Sequence, residues 1–503
     1  MAFAIDKNKI AKNTIALYIR MGFTMVISFL TARVTLQVLG VEDYGLNNLV
    51  GSIVALFSFI NGSIGTAVQR FYSIEIGKKD FEGLCKVFGV GKYLHRIVAF
   101  ITFVIAEIFA VFFLSKLNIP QERMFAAHVV FQISVVSFAL NILNVPYAAL
   151  LRAREQFSKV AVYEIIQSLL RLAVLYLLCI INYDKIIVLS LLNFGVTIFF
   201  ITSIYFLARH YKESHTHALW DKEIINKMLN FVYMLILTVM ASLGRDQGVI
   251  ILINIFFGLT INAAYAIAMQ IMHIVNTFVM NFKQSVVPQI MLAYGANDVH
   301  AMTKLINVGT KLTFLLLLMI SLPVYFEIDV LLELWLKTPP EHTAELVKLV
   351  IININVSSFT YFLYQGVHAT GNITKQQTWM SLTYLLNVFF IFIGFNLGFD
   401  FTSALYITIV ASFIQCMINV YFAAKNFRYK VVDFIKDVLS RSLIMTSLCI
   451  PLVSFFTLIE NPILEFLCIS SFSIIGIFLL GYIIMLNSSE KEYICNIIKV
   501  KLK

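Results

Sequence analysis

Four polar side chains stand in one apolar stretch at spacings of three, four and seven residues: Glu164, Gln167, Ser168 and Arg171. That spacing brings all four to one side of an α-helix. Glu164 and Arg171 then lie about 10 Å apart along the axis, too far for a direct pair. A neighbouring helix or water must come between them. Such a stripe either lines a polar cavity or joins helices through hydrogen bonds. A second cluster, Arg245-Asp246-Gln247, sits between Gly244 and Gly248 in another apolar run. Adjacent opposite charges do not face the same way on a helix, which leaves two readings. Either each charge finds its own partner (an anion for the arginine, a proton for the acid), or the two compensate each other at a break in the helix. A third face carries Gln270, His273, Thr277, Asn281 and Gln284. These neutral donors and acceptors suit a sugar, and equally suit helix-to-helix bonding. Arg20 and Arg33 interrupt the first apolar run. An arginine at the bilayer centre costs about 2.5–3.5 kcal/mol on insertion scales, so each is a candidate functional residue. Arginine stays ionised and offers planar, bidentate donors to phosphate oxygens. Glu107 and His128 are isolated and read as packed or neutral.

The elements that must position these groups are long apolar helices. The chain has 503 residues, 60% hydrophobic and only 13% charged, with a mean hydropathy of +0.86. Soluble domains carry about 25% charged residues. The composition therefore predicts an all-α polytopic membrane protein. Fourteen segments are long enough to cross the hydrocarbon: 13–39, 46–69, 93–117, 124–150, 158–182, 185–208, 228–256, 259–287, 306–328, 344–369, 376–398, 402–425, 437–459 and 463–486. The first two are joined by an acidic turn, Gly40-Val41-Glu42-Asp43-Tyr44-Gly45. Pro146 and Pro288 fall within or near helices and can kink them.

The net charge of +10 does not signal nucleic acid. Of the 38 Lys and Arg, 27 fall in even-numbered loops and the two termini, and five in odd-numbered loops. Basic residues mark the cytoplasmic side, so the split predicts fourteen spans with both termini inside; no organelle-targeting segment is evident, and the simplest expected location is a bacterial inner membrane. Loops are short. The second is read as a mixed-charge segment from Arg70 to Lys92, and Lys283 as a residue of the eighth. The sixth holds His210, His215 and His217, read as a solvated linker because nothing nearby completes a metal ligand set. The six cysteines lack metal or redox spacing. No phosphate loop, nucleophile elbow or helical metal pair occurs, so neither catalysis nor a cofactor is expected.

An internal repeat aligns Gly77, Asp80, Lys86, Val90, Gly91 and Leu94 with Gly295, Asp298, Lys304, Val308, Gly309 and Leu312, at an offset of 218. Ala153, Ser158 and Lys159 meet Ala369, Thr374 and Lys375 at an offset of 216. Two matches at nearly one offset predict two parallel six-helix lobes, 1–218 and 219–432, with two extra helices in 433–503. Transporters built from repeats bind substrate where the repeats meet.

Lys12-Asn13, Arg33, Leu39-Gly40, Asp43-Tyr44-Gly45 and Gln69-Arg70 resemble the polysaccharide-transporter branch of the multidrug/oligosaccharidyl-lipid/polysaccharide exporter superfamily. The resemblance implies a MATE-like flippase for undecaprenyl-diphosphate-linked oligosaccharides, serving O-antigen, capsule or exopolysaccharide synthesis beside glycan-assembly enzymes. On that reading Arg20, Arg33, Arg171 and Arg245 line one central cavity and hold the diphosphate. Gln270, His273, Thr277 and Asn281 face the glycan, and Glu164 and Asp246 couple transport to H+ or Na+. Two alternatives stand beside it: a cation-coupled multidrug antiporter of the same fold, and a membrane oligosaccharide polymerase. The first helix lacks the proline common in drug exporters, and the ninth loop is short for an enzyme site.

Overall fold

The computed structural model describes residues 7–55, 58–113, 120–181, 183–336, 339–459, 462–487 and 491. Every regular element among them is a helix. The first helical stretch, Lys7–Ala55, is broken at Gly40 (φ 78°, ψ 174°). It gives α1 (7–39) and the start of α2, described over 41–55 and Ser58–Lys78. Then come α3 (Phe81–Phe113), α4 (Met124–Ala153), α5 (Phe157–Leu178) and α6 (Lys185–Ala208). A stretch of 74 residues, Lys222–Gly295, is broken at Gly258 (φ 78°, ψ −169°) into α7 (222–257) and α8 (259–295). After it follow α9 (Val299–Phe326), α10 (Thr343–Thr370), α11 (Thr374–Asn396), α12 (Ser403–Phe427), α13 (Val431–Phe456) and α14 (462–484). Among the described residues, eleven stretches are long and apolar enough to span a membrane, Lys222–Gly295 counting once.

Two compact units divide the described residues. One is Lys9–Ile236 with Gly295–Asn297, and the other is Leu237–Tyr294 with the residues before Lys9 and after Asn297. In the first, Ala106 and Ala110 of α3 meet Ala126, Ala127, Val130 and Phe131 of α4. Small side chains let the two backbones approach closely. In the second, Gly309 of α9 faces the Phe362 ring of α10, where a Cβ would come within 2.9 Å.

The helices are longer than their apolar cores, and this corrects several expected loops. The mixed-charge segment after Arg70 is helical except at Lys79 and Asp80. Lys79 takes a left-handed conformation (φ 60°), and the Asp80 carboxylate accepts from the Gly83 amide at 2.9 Å. Such a cap satisfies an orphan N–H of the first helical turn. The same turn recurs 218 residues later: Asn297 has φ 57°, and Asp298 accepts from the Ala301 amide at 2.9 Å. The glycine breaks at 40 and 258 share that offset. Left-handed Glu155 and Gly371 are related by 216. Lys283 is not a loop residue, since α8 runs on to Gly295. Pro146 and Pro288 lie inside α4 and α8, which continue past them. The ninth loop holds a short helix, Ile328–Leu336.

Loops of one parity are tied together in the first unit. Arg123 binds Asp43 at 2.7 Å and Asp184 at 2.8 Å, so one guanidinium joins loops one, three and five. Asp43 is buried. At the other end, Lys9 and Asn13 of α1 bind Glu155 of loop four, by an ion pair of 2.9 Å and a backbone bond of 3.0 Å. Arg154 binds Glu213 of loop six at 2.6 Å. Lys92 donates to the Thr216 carbonyl at 2.9 Å. Two of the loop-six histidines meet nearby carbonyls: His215 that of Arg209 at 3.0 Å, and His210 that of Phe206 at the end of α6 at 3.2 Å. In the same loop, burial pushes the Tyr211 phenol above its ordinary range, opposed by the Arg154 charge.

Candidate functional site

In the first unit, Arg20 of α1 reaches across to Glu164 of α5, with Nη1 to Oε2 at 2.7 Å. Both side chains are about a quarter exposed, at 24% and 29%. Of the helix or water expected beside Glu164, the structure shows a helix, α1, and the Arg20 contact carries both a hydrogen bond and a compensated charge. Ser168, one turn on, donates to the Glu164 carbonyl at 2.9 Å. Arg171 lies seven residues beyond Glu164 and seven before the helix end at Leu178, about 10 Å inside by helical rise. Its side chain is exposed, and no carboxylate lies within ion-pair reach of it among the described residues. Arg33 belongs to α1, but its side chain lies outside the described residues.

In the second unit, Arg245 turns back along its own helix onto the neighbouring residue. Its Nε and Nη2 donate to Asp246 Oδ1 at 3.0 and 2.6 Å. Of the two readings, the structure shows the mutually compensated pair, because the guanidinium arm is long enough to fold over one residue. The pair is not at a helix break, however, because α7 runs unbroken to Gly258. The other side of the guanidinium lies 4.9 Å from the Tyr384 ring of α11. Such cation–π contacts contribute about 0.5–2 kcal/mol.

The amide-bearing face of α8 is divided. Gln270, His273, Thr277 and Gln284 are exposed, whereas Asn281 is buried and donates to the Thr277 carbonyl at 3.1 Å. Thr277 in turn donates to the His273 carbonyl at 2.8 Å.

Two polar features are not visible in the sequence pattern, and a third differs from its reading there. Lys283 is buried in α8 with its ammonium 4.8 Å from the Tyr361 ring, and it makes no ion pair among the described residues. Counting it with the basic loop residues masks its place, although the predicted eighth segment, 259–287, contains it. A buried amide network links α10, α11 and α12. Gln377 donates to the Tyr364 hydroxyl at 3.1 Å and meets His368 Nε2 at 2.5 Å, while Gln376 donates to Asn419 at 2.5 Å. The third is Glu107 of α3, expected to be isolated: its Oε2 accepts from the Gln132 amide of α4 at 2.9 Å. Among the described residues no group of three His, Cys, Asp or Glu side chains could hold a metal.

Residues 16–177 match the MatE family model. Among solved structures, the chain is similar to a MATE protein crystallised as a mutant, at 13% identity and a TM-score of 0.71, covering 83% of this chain and 95% of that one. A MOP superfamily transporter from Pyrococcus furiosus, described by the reverse polarity of its binding pocket, matches at 12% identity and a TM-score of 0.69, with the same coverage. An outward-facing multidrug resistance MATE transporter matches at 13% identity and a TM-score of 0.68, over 83% of this chain and 94% of that one. No curated protein matches the chain. The chain is therefore an all-helical, multi-pass membrane protein with the MATE transporter fold.

Proposed function

We propose that the protein is a transporter rather than an enzyme, and that its substrate is an oligosaccharide carried on a polyprenyl diphosphate. One observation carries this reading: Arg171 adds an uncompensated positive charge to α5, two turns beyond a glutamate already neutralised by Arg20. A cation left unpaired in a membrane helix is costly unless an anion joins it. A diphosphate diester carries about two negative charges and offers the oxygens that guanidinium groups bind in pairs. Arg20, Arg33, Arg171 and Arg245 are the residues proposed to hold it. Gln270, His273, Thr277 and Asn281 would bond the glycan. Such a flippase would use H+ or Na+ and would work beside glycan-assembly enzymes in a bacterial inner membrane, with both termini in the cytoplasm. Repeated turns at one offset support two lobes of parallel repeats, 1–218 and 219–432, followed by 433–503. The second reading, a cation-coupled multidrug antiporter, is favoured by the multidrug MATE structure among the fold neighbours. A drug cation calls for surplus acid, however, and α5 carries surplus arginine.

The test replaces each of the four arginines by alanine and by lysine in cells lacking the native protein, with surface polysaccharide as the readout. Alanine at Arg171 and at one further position or more should abolish the glycan, and lysine should restore part of it. Full restoration by all four alanine variants, at normal expression, overturns the diphosphate site.

A further inference from the structure

Two of the carboxylates inside the spans, Glu164 and Asp246, touch arginines at 2.7 and 2.6 Å. Glu107 touches none among the described residues. Its Oε2 accepts from Gln132, while its Oε1 is fully buried with no donor in reach. Around it lies an apolar cluster that includes Ala106, Ala110, Val130, Phe131 and Val135. We propose that Glu107 is the site that carries the coupling cation and that this cation is a proton, an inference that rests on the transport reading above.

The argument is one of charge balance. Protonating Glu164 or Asp246 would leave the guanidinium it touches uncompensated inside the membrane, at a cost of desolvation. Neither acid can take up and release a proton without stranding a second charge. At Glu107 a proton compensates the carboxylate by itself. Gln132 fixes the orientation by donating to Oε2, which leaves Oε1 as the atom that binds the proton and lets it go. The titratable groups at this end of α3 and its neighbours are few. His128 is exposed, one turn before Gln132 on α4. Arg123, ahead of α4, is held by Asp43 at the start of α2 and by Asp184 ahead of α6. Lys185 donates to the Val38 carbonyl at 3.3 Å.

The test uses the full-length protein in nanodiscs and the apolar reagent dicyclohexylcarbodiimide. This reagent adds to a protonated carboxyl in an apolar site and leaves a stable N-acylurea that peptide mass spectrometry locates. The expected result is modification at Glu107 and little at Glu164 or Asp246. It should weaken as pH rises, be unaffected by Na+ at constant pH, and vanish in Glu107→Gln. That variant keeps an acceptor for Gln132, and an unchanged melting temperature shows that it folds. Absence of label on Glu107 in folded protein at acidic pH overturns the proposal, as does label on Glu164 or Asp246 in its place. Protection by Na+ at constant pH overturns the proton assignment. Labelling requires no transported substrate, so this result stands or falls separately from the identity of the lipid-linked substrate.

Discussion

Arg20 and Glu164 lie 144 residues apart in the chain and 2.7 Å apart in the fold. Losing one partner leaves the other charged in poor solvent, which costs more than losing both. Partial exposure tempers the penalty. Arg20→Met and Glu164→Met should each destabilise the protein by roughly 1–3 kcal/mol, and the double variant by less than the sum. Thermal unfolding in detergent measures this double-mutant cycle. Simple additivity would mean that the pair is not coupled. At this scale the sequence was partly legible. The three-four-seven spacing showed that Glu164 and Arg171 are too far apart to pair and that a neighbouring helix or water comes between them, but periodicity along one helix is silent on which of the two it is and on which helix faces it. For Arg245 and Asp246 the sequence left mutual compensation and separate partners open, because spacing along a helix places Cβ atoms and does not give the reach of a guanidinium arm.

Helices were legible from runs of apolar residues, and their ends were not. A run of Leu, Ile and Phe stops where lipid stops, whereas a helix stops where a cap or a left-handed residue ends it. Hence α3 begins at Phe81, behind the Asp80 cap, twelve residues before its apolar core. Two of the sharpest breaks are glycines. Gly40 and Gly258 combine φ 78° with ψ near 180°, a region that is essentially closed to side chains bearing a Cβ. Both have nothing within 4 Å of a would-be Cβ, so backbone strain alone decides the outcome there. Gly40→Ala and Gly258→Ala should each cost about 1–3 kcal/mol. Gly22→Ala and Gly195→Ala, in helix interiors with equal free space, should instead stabilise by about 0.5–1 kcal/mol. Melting temperatures of the four variants make the comparison. Equal shifts at all four positions would show that Gly40 and Gly258 do not need left-handed backbone.

Across the whole chain, basic residues concentrate at one parity of loops, and ionic contacts within the first unit tie loops of equal parity together. Arg123 gathers loops one, three and five, while Glu155 and Arg154 join α1, loop four and loop six. The sequence made the charge bias readable, because Lys and Arg counts need no fold. It hid the clasp, because Arg123 reads as one of five exceptions to the bias. Ion pairing explains that exception: Asp43 and Asp184 supply its counter-charges on the same face. Orientation in the membrane follows from the positive-inside rule and is tested by cysteine accessibility. Asp43, a natural choice in the first turn, is buried and engaged, and Thr338 lies outside the described residues. Tyr183 and Lys185, both exposed, serve for the outer side. Lys79, His215 and Lys375, also exposed, serve for the inner side. Native Cys179 is exposed as well and must first be replaced, with the other cysteines, by serine. A membrane-impermeant maleimide added to intact spheroplasts should label single cysteines at 183 and 185. It should reach those at 79, 215 and 375 only after the membrane is opened. Outside labelling at 79 together with protection at 185 would invert the molecule. It would also place Arg123 and its two aspartates on the cytoplasmic face.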